Sequence, residues 1–417
     1  MIVGTPPRRV NCESLFERNQ GYRVLLSFAQ GCRSLMVAST GLTCFRDTPS
    51  LVSLYAGRMG RRDWDTEKIA RVRGRLLEWY ERSRRDLPWR RTRDPYAIWV
   101  SEIMLQQTRV AVVVERYQAF MARFPTLASL AKAPEQEVLA LWSGLGYYRR
   151  ARMLHEAAQF VVEHCDGDLP KTSEALRALP GIGAYTAAAI ASIAHGERVA
   201  VVDGNVERVL CRLEGWEAGS RVGGAQLRRK IEKLAAELVC PGRPGDSNQA
   251  LMELGATLCS PRNPQCLVCP VASDCKTQGE HKTRQRPPMI SREVAYALSV
   301  RTVRRADHSH QEVLLEQRPA SLTVMPGLWE LPALREAVVP KHELRLTVRH
   351  AIMQVNYRVR IRAVSEADID AIAAPGGERR WVPQGEATGM ALTGLARKVL
   401  GRLHLLADEP PHSPPIS

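Results

Sequence analysis

At 417 residues with 45% hydrophobic side chains the chain can bury more than one core, which excludes disorder of the whole and predicts two or three domains. No apolar run reaches the roughly 18 residues of a membrane span; the longest, Ala184 to Gly196, is broken by Thr186, Ser192 and His195. Fifty-nine Lys and Arg against 44 Asp and Glu give a net charge of +15, a field that draws polyanions such as nucleic acid or anionic lipid.

Residues 1–60 carry no sustained helical or strand periodicity, with seven Arg and no Lys before Met59. They read as a disordered leader, either an organelle transit peptide or an over-long start with Met59 as initiator, and we favour the second. From Asp65 the period turns helical: Ile69, Val72, Leu76, Trp79 and Tyr80 share a face, with Asp65 or Thr66 as cap. Further helices are expected at Tyr96–Gln107, Val110–Phe124, Glu135–Trp142, Arg149–His164, Ala175–Leu179, Tyr185–His195, Val206–Leu213, Ala225–Leu238 and Asn248–Leu258. Together these make an all-α domain over 61–275. A basic, Pro-bearing linker follows at 276–290. Beyond it, over 291–405, the pattern predicts strands at Val294–Val303, Glu312–Glu316 and Leu344–Val364, then a helix at Thr393–Leu400. A Pro-rich tail closes the chain at 406–417.

Ten cysteines are unevenly placed, and four of them, Cys259, Cys266, Cys269 and Cys275, crowd one short stretch. That distribution is unlike a secreted disulfide framework and fits a reducing compartment. Four thiolates so close can surround one tetrahedral zinc or one cubane iron–sulfur cluster, and unrelated buried cysteines are the plain alternative. Only one pair has the CxxC spacing, and the wider gaps on either side suit the larger object.

Two segments place carboxylates in apolar settings. Leu179-Pro-Gly-Ile-Gly-Ala184 joins two helices through Gly181 and Gly183, which leave backbone N–H groups free to meet an anion such as a phosphodiester; a plain helix–helix turn would use the same glycines. Asp203 follows the apolar run Val199–Val202 and can cap the next helix. Glu102, in Ser101-Glu-Ile-Met-Leu-Gln-Gln-Thr108, has Ile98, Trp99, Leu105 and Gln106 as helical neighbours, so burial would favour its protonated form near neutrality.

The cysteine spacing at the end of a helical domain resembles the endonuclease III superfamily of base-excision DNA glycosylases, and the hairpin resembles its helix-hairpin-helix motif. The octapeptide around Glu102 is similar to the catalytic helix of adenine DNA glycosylases of the MutY type. The resemblance implies a [4Fe–4S] cluster on Cys259, Cys266, Cys269 and Cys275, with Glu102 as general acid and Asp203 stabilising the oxocarbenium ion, assisted by Tyr185 and Asn205. Lyase-competent relatives place a lysine where this chain has Tyr185, so a monofunctional glycosylase is implied. Trp142-Ser-Gly-Leu-Gly-Tyr-Tyr148 resembles the family's wedge segment. Gln107 and Tyr147 would enter the duplex, and Thr108 and Leu145 would lie near the opposing base.

Met325-Pro-Gly-Leu-Trp-Glu-Leu-Pro332 is similar to the G-x-W-E-x-P signature of the family's Nudix-like domain, which reads 8-oxoguanine. The Nudix hydrolase array of carboxylates is missing, so a recognition module is implied. The family's Phe-Ser-His loop is matched by Val348-Arg349-His350, of which only His350 agrees. The implied fold class is thus multidomain, an all-α helix-hairpin-helix glycosylase domain with an Fe–S cluster followed by an α+β Nudix-like domain. Its implied partner is double-stranded DNA containing an adenine mismatch, engaged by a monomer with no membrane. The implied location is cytoplasmic at the nucleoid, or organellar or nuclear should the leader be a transit peptide. Rival readings are an endonuclease III-like glycosylase for oxidised pyrimidines and a non-catalytic Fe–S DNA-binding module.

Overall fold

A computed structural model describes residues 64–217, 224–281, 288–305, 308–352 and 354–407. The expected leader, the centre of the expected linker at 282–287 and residues 408–417 of the expected tail lie outside the described residues. Helices run in chain order as α1 (Thr66–Ser83), α2 (Pro95–Leu105), α3 (Val110–Arg123), α4 (Leu127–Lys132), α5 (Glu135–Leu141), α6 (Arg149–His164) and α7 (Ser173–Leu176). They continue as α8 (Ala184–Ala194), α9 (Gly204–Glu214), α10 (Gly224–Leu238) and α11 (Pro244–Thr257). Strands and short helices follow: β1 (Ile290–Leu298), β2 (Val300–Arg305), β3 (His308–Gln317), β4 (Trp329–Glu330), β5 (Leu344–Ile352), β6 (Val355–Ala363), α12 (Ile369–Ile372), β7 (Arg379–Pro383), α13 (Gln384–Ala387) and α14 (Gly394–Arg402). No helix among the described residues is long and apolar enough to cross a membrane.

The chain divides into two compact units. One combines the residues up to Arg85 with Pro170–Ala178 and Ala187–Lys282; the other combines Asp86–Leu169, Leu179–Thr186 and Thr283–Ser417. In the first, α1 is capped by Asp65, whose side chain accepts from the Lys68 N–H. Its inward face, Val72, Leu76 and Tyr80, packs with Val209 and Leu213 of α9, Ile231 and Leu234 of α10, and Leu251 and Leu254 of α11. Each such side chain taken from water contributes about 1.5–3 kcal/mol, which makes this stripe the unit's main source of cohesion.

In the second unit, Phe120, Phe124 and Trp142 pack edge to face beneath α3 and α5. Its β region forms two sheets, β1-β6-β5, with β1 parallel to β6, and β2-β3-β4, with β7 also paired to β3. Val313, Leu315, Val348, Val359, Ile361 and Val382 meet Leu395, Val399 and Leu400 of α14 in one core. The single strands expected at 294–303 and 344–364 are each two strands. Ser299 ends the first, buried with its hydroxyl donated to the Val364 carbonyl at 2.8 Å. The second reverses to pair Ile352 with Val355. Alternation continues through both breaks with no Gly or Pro to mark them, so periodicity alone ran the strands together.

Candidate active site

Helix α2 is capped by Asp94, whose carboxylate accepts from the Tyr96 N–H at 3.0 Å, and opens on Pro95, whose fixed φ suits the first turn. Every residue from Tyr96 to Met104 is buried, Glu102 among them at 6% exposure. A carboxyl group in such a place needs a partner to offset desolvation. One comes from the hairpin: the Tyr185 hydroxyl, second residue of α8, donates to Glu102 Oε2 at 2.7 Å. One residue further on, Thr186 accepts from Gln106 Nε2 at 3.4 Å. Gly181 has φ 72°, and a Cβ there would stand 2.8 Å from the Met153 Cβ, so this turn demands glycine; Gly183, also exposed, shows no such constraint.

Helix α2 ends at Leu105, two residues short of the expected Gln107. The shortfall has a cause: the guanidinium of Arg150 takes the carbonyls of Ile103 and Gln106, both at 2.6 Å, and the chain turns through Gln107 at φ 57°. Tyr147 is likewise left-handed at φ 48°, between Gly146 and a buried Tyr148. For non-glycine residues such angles cost about 1–2 kcal/mol each and mark over-determined positions. Both side chains are exposed, Tyr147 at 54%. Thr108 and Leu145 lie beneath them, the Thr108 hydroxyl 3.4 Å from the Leu145 carbonyl, with Leu145 itself buried.

In the other unit, Asp203 is the N-cap of α9. Its Oδ1 accepts from the Val206 N–H at 2.7 Å, and its Oδ2 accepts from Asn205 Nδ2 at 2.9 Å. Asn205 Oδ1 in turn accepts from Arg208 at 2.9 Å, while Arg208 also donates to the carbonyls of Gly255 at 2.6 Å and Cys259 at 2.8 Å. A Cβ on Gly255 would come within 2.7 Å of the Asn205 Cβ, so the close approach of α11 fixes the asparagine.

One helical turn on, Arg212 is almost fully buried. It donates to the Ser260 carbonyl at 2.7 Å and the Pro261 carbonyl at 3.0 Å and lies 3.3 Å from Cys259 Sγ, while the Cys275 thiol donates to the Arg212 carbonyl at 3.3 Å. Cys259, Cys266, Cys269 and Cys275 line one cavity with Arg212. Burial, then the neighbouring thiols, push Cys266 up. Burial pushes Cys269 to about 11 against a backbone hydrogen bond at Val271. Among the described residues no group of three or more His, Cys, Asp or Glu is placed to hold a single metal ion.

In the β region, Trp329 and Glu330 are buried in β4, and Glu330 pairs with Arg318; burial, only partly offset by that arginine, pushes its carboxyl up. His350, opposite Tyr357 in the β5–β6 register, lines a cavity of about 350 Å³ walled by Tyr296, Tyr357 and the loop at Leu322–Met325. Burial, reinforced by Lys398, lowers its pKa.

The structure thus joins Glu102 with Tyr185, and Asp203 with Asn205, and places His350 in the wall of the β-region cavity. Arg150, Arg208 and Arg212 escaped the sequence reading, because an arginine within a helix ordinarily reads as a solvated face. The signal available for Arg150 and Arg208 was their place, each one turn beyond a glycine, Gly146 and Gly204.

Residues 100–240 match the family described as HhH-GPD superfamily base excision DNA repair protein. An adenine DNA glycosylase of Homo sapiens is 50% identical over 51% of this chain and 40% of that protein. One of Arabidopsis thaliana is 40% identical over 65% of this chain and 48% of that protein. The matches therefore span less than half of these two relatives. Among solved structures, that of a thermostable thymine-DNA glycosylase is 32% identical, with a TM-score of 0.46, over 51% of this chain and 97% of that one.

Proposed function

We propose that this chain is a monofunctional adenine DNA glycosylase of the HhH-GPD superfamily, a reading supported by the match of residues 100–240 to that family and by the similarity to curated adenine DNA glycosylases. It would hydrolyse the N-glycosidic bond of adenine mispaired with 8-oxoguanine or guanine. The observation that carries the reading is the Tyr185–Glu102 hydrogen bond, because the residue that meets the buried carboxyl from the hairpin is a phenol and not an amine. A phenol cannot form the imine of a lyase, and it can hold the carboxyl in place.

Bond cleavage leaves positive charge on the sugar and negative charge on the base. Glu102, buried, is suited to deliver a proton to adenine and then to activate water. Asp203, whose two oxygens accept from the Val206 N–H and the Asn205 amide, is suited to stabilise the cationic sugar. Extruding adenine costs a few kcal/mol, offset by the exposed Gln107 and Tyr147, by Thr108 and Leu145 beneath them, and by backbone contacts at Gly181 and Gly183.

The cysteines fit a [4Fe–4S] cluster. Four cysteines line one cavity, and the buried Arg212 brings a guanidinium nitrogen within 3.3 Å of Cys259 Sγ, where a cation suits a bound thiolate. When bound, the cluster would take the four thiolates as its ligands, offset part of their charge and pin the loop. We read the β region as a Nudix-like recognition module with His350 facing the lesion, and the domain limits as 61–275 and 291–405. The partner would be mismatched double-stranded DNA met by a monomer, at the nucleoid of the cytoplasm, or in an organelle or the nucleus should the leader be a transit peptide. The test is incubation with duplex carrying adenine opposite 8-oxoguanine. Strand breakage after alkali, with no borohydride-trapped adduct, supports the reading; a trapped adduct or intact adenine refutes it.

A further inference from the structure

Arg150 is a half-buried arginine whose partners are almost all backbone. One terminal nitrogen reaches the carbonyls of Ile103 at 2.6 Å, Met104 at 3.3 Å and Gln106 at 2.6 Å. The other reaches the carbonyls of Leu145 at 3.1 Å and Gly146 at 3.2 Å, and the Thr108 hydroxyl at 3.3 Å. Its planar cation also faces the rings of Trp142 and Tyr147, at 5.5 and 5.6 Å from their centroids. Among the described residues its Nε has no partner. Burial outweighs the nearby Tyr147 phenol and draws the guanidinium down to about 10, still charged at neutrality.

The two groups of carbonyls belong to different pieces of chain. The first closes the C-terminus of α2, where orphan carbonyls and the helix dipole favour a cation. The second belongs to the glycine-rich turn before α6. Each group directly precedes an exposed residue in the left-handed region, Gln107 at φ 57° and Tyr147 at φ 48°. We propose that Arg150 is a positioning residue that sets the distance between these two turns, so that Gln107 and Tyr147 enter a duplex as one unit. The proposal rests on the reading of those two side chains as wedges. A lysine could satisfy one group of carbonyls at a time but not both, because only the guanidinium fork spans them.

The test uses the full chain and a duplex with 2-aminopurine beside the adenine opposite 8-oxoguanine, whose fluorescence rises when the stack opens. Arg150→Lys is expected to lower the saturating rise by about fivefold or more, as misplaced contacts of this kind do, with a change in Kd below about threefold. In a Gln107→Ala/Tyr147→Ala background the same substitution should change nothing further, the non-additivity expected of residues acting as one device. Thr108→Val, which leaves the arginine in place, should give a smaller loss that also vanishes in that background. It decides the matter if Arg150→Lys fails to fold. A normal rise in Arg150→Lys, or losses that multiply in the wedge-free background, would overturn the positioning role alone. Should the wild-type chain give no rise with this duplex, the repair reading falls and the proposal falls with it.

Discussion

The Tyr185 hydroxyl donates to Glu102 Oε2 at 2.7 Å, a bond between residues 83 apart in sequence. It ties the buried helix α2 to the start of α8 and gives a desolvated carboxyl its hairpin partner. Tyr185→Phe removes that donor and keeps the ring. We expect excision to slow about ten- to a hundredfold with little change in Tm, because the acid keeps its place but loses its orientation. Single-turnover rates beside a melting curve check this. A rate equal to that of the wild type would show that the bond does not serve the chemistry.

Arg208 links Asn205, and through it Asp203, to the carbonyls of Gly255 and Cys259. Arg208→Ala takes a donor from the Gly255 carbonyl and leaves the Cys259 carbonyl only its longer bond from Arg212, at a cost of about 1–3 kcal/mol. Excision should fall by tenfold or more, and unfolding of the cysteine loop, followed by hydrogen exchange at residues 255–260, should quicken. Asn205→Ala should reproduce the first effect without the second, since it removes only one of the two hydrogen bonds accepted by Asp203.

Tyr148 donates from its phenol to the Leu392 carbonyl at 2.9 Å, and Arg397 donates to Ser143 at 2.7 Å. These bonds fasten the turn bearing Tyr147 to the segment that begins α14. Tyr148→Phe should cost about 0.5–1.5 kcal/mol by the net worth of one buried hydrogen bond. Denaturant unfolding measures it, and a change below a few tenths would mean that packing alone holds this junction.

His350 is kept below the ordinary histidine range by burial and by Lys398. The unfolded chain therefore takes up the proton first, and stability falls as pH drops from the ordinary value of about 6.5 toward the lower folded value. His350→Asn should flatten the fall in Tm between about pH 7 and 5.5 relative to wild type. Parallel slopes for the two proteins would mean that other groups govern that range.

Much of this was legible before the fold was seen, and what was not has identifiable causes. The apolar stripe of α1 and the cap at Asp65 follow from periodicity and a short polar side chain, and the structure buries Val72, Leu76 and Tyr80 accordingly. Asp203 was readable as a cap from its local pattern, whereas Asn205, whose amide donates to its other oxygen, was named only through the family resemblance. The end of α2 was missed because nothing in Gln106-Gln107-Thr108 breaks a helix; the cause is Arg150, supplied from 44 residues on to Gln106. Likewise β1 and β2 were merged, since the break at Ser299 is set by a hydrogen bond to Val364, which no local pattern announces.

Release of free adenine from a duplex with adenine opposite 8-oxoguanine, followed by mass spectrometry under single-turnover conditions, tests the central claim most directly. The wild-type chain should liberate the base, and Glu102→Gln should bind the duplex with similar affinity yet release it at least about a thousandfold more slowly, in line with the loss of a general acid. Adenine release by Glu102→Gln at the wild-type rate, or none by either protein, would contradict the account.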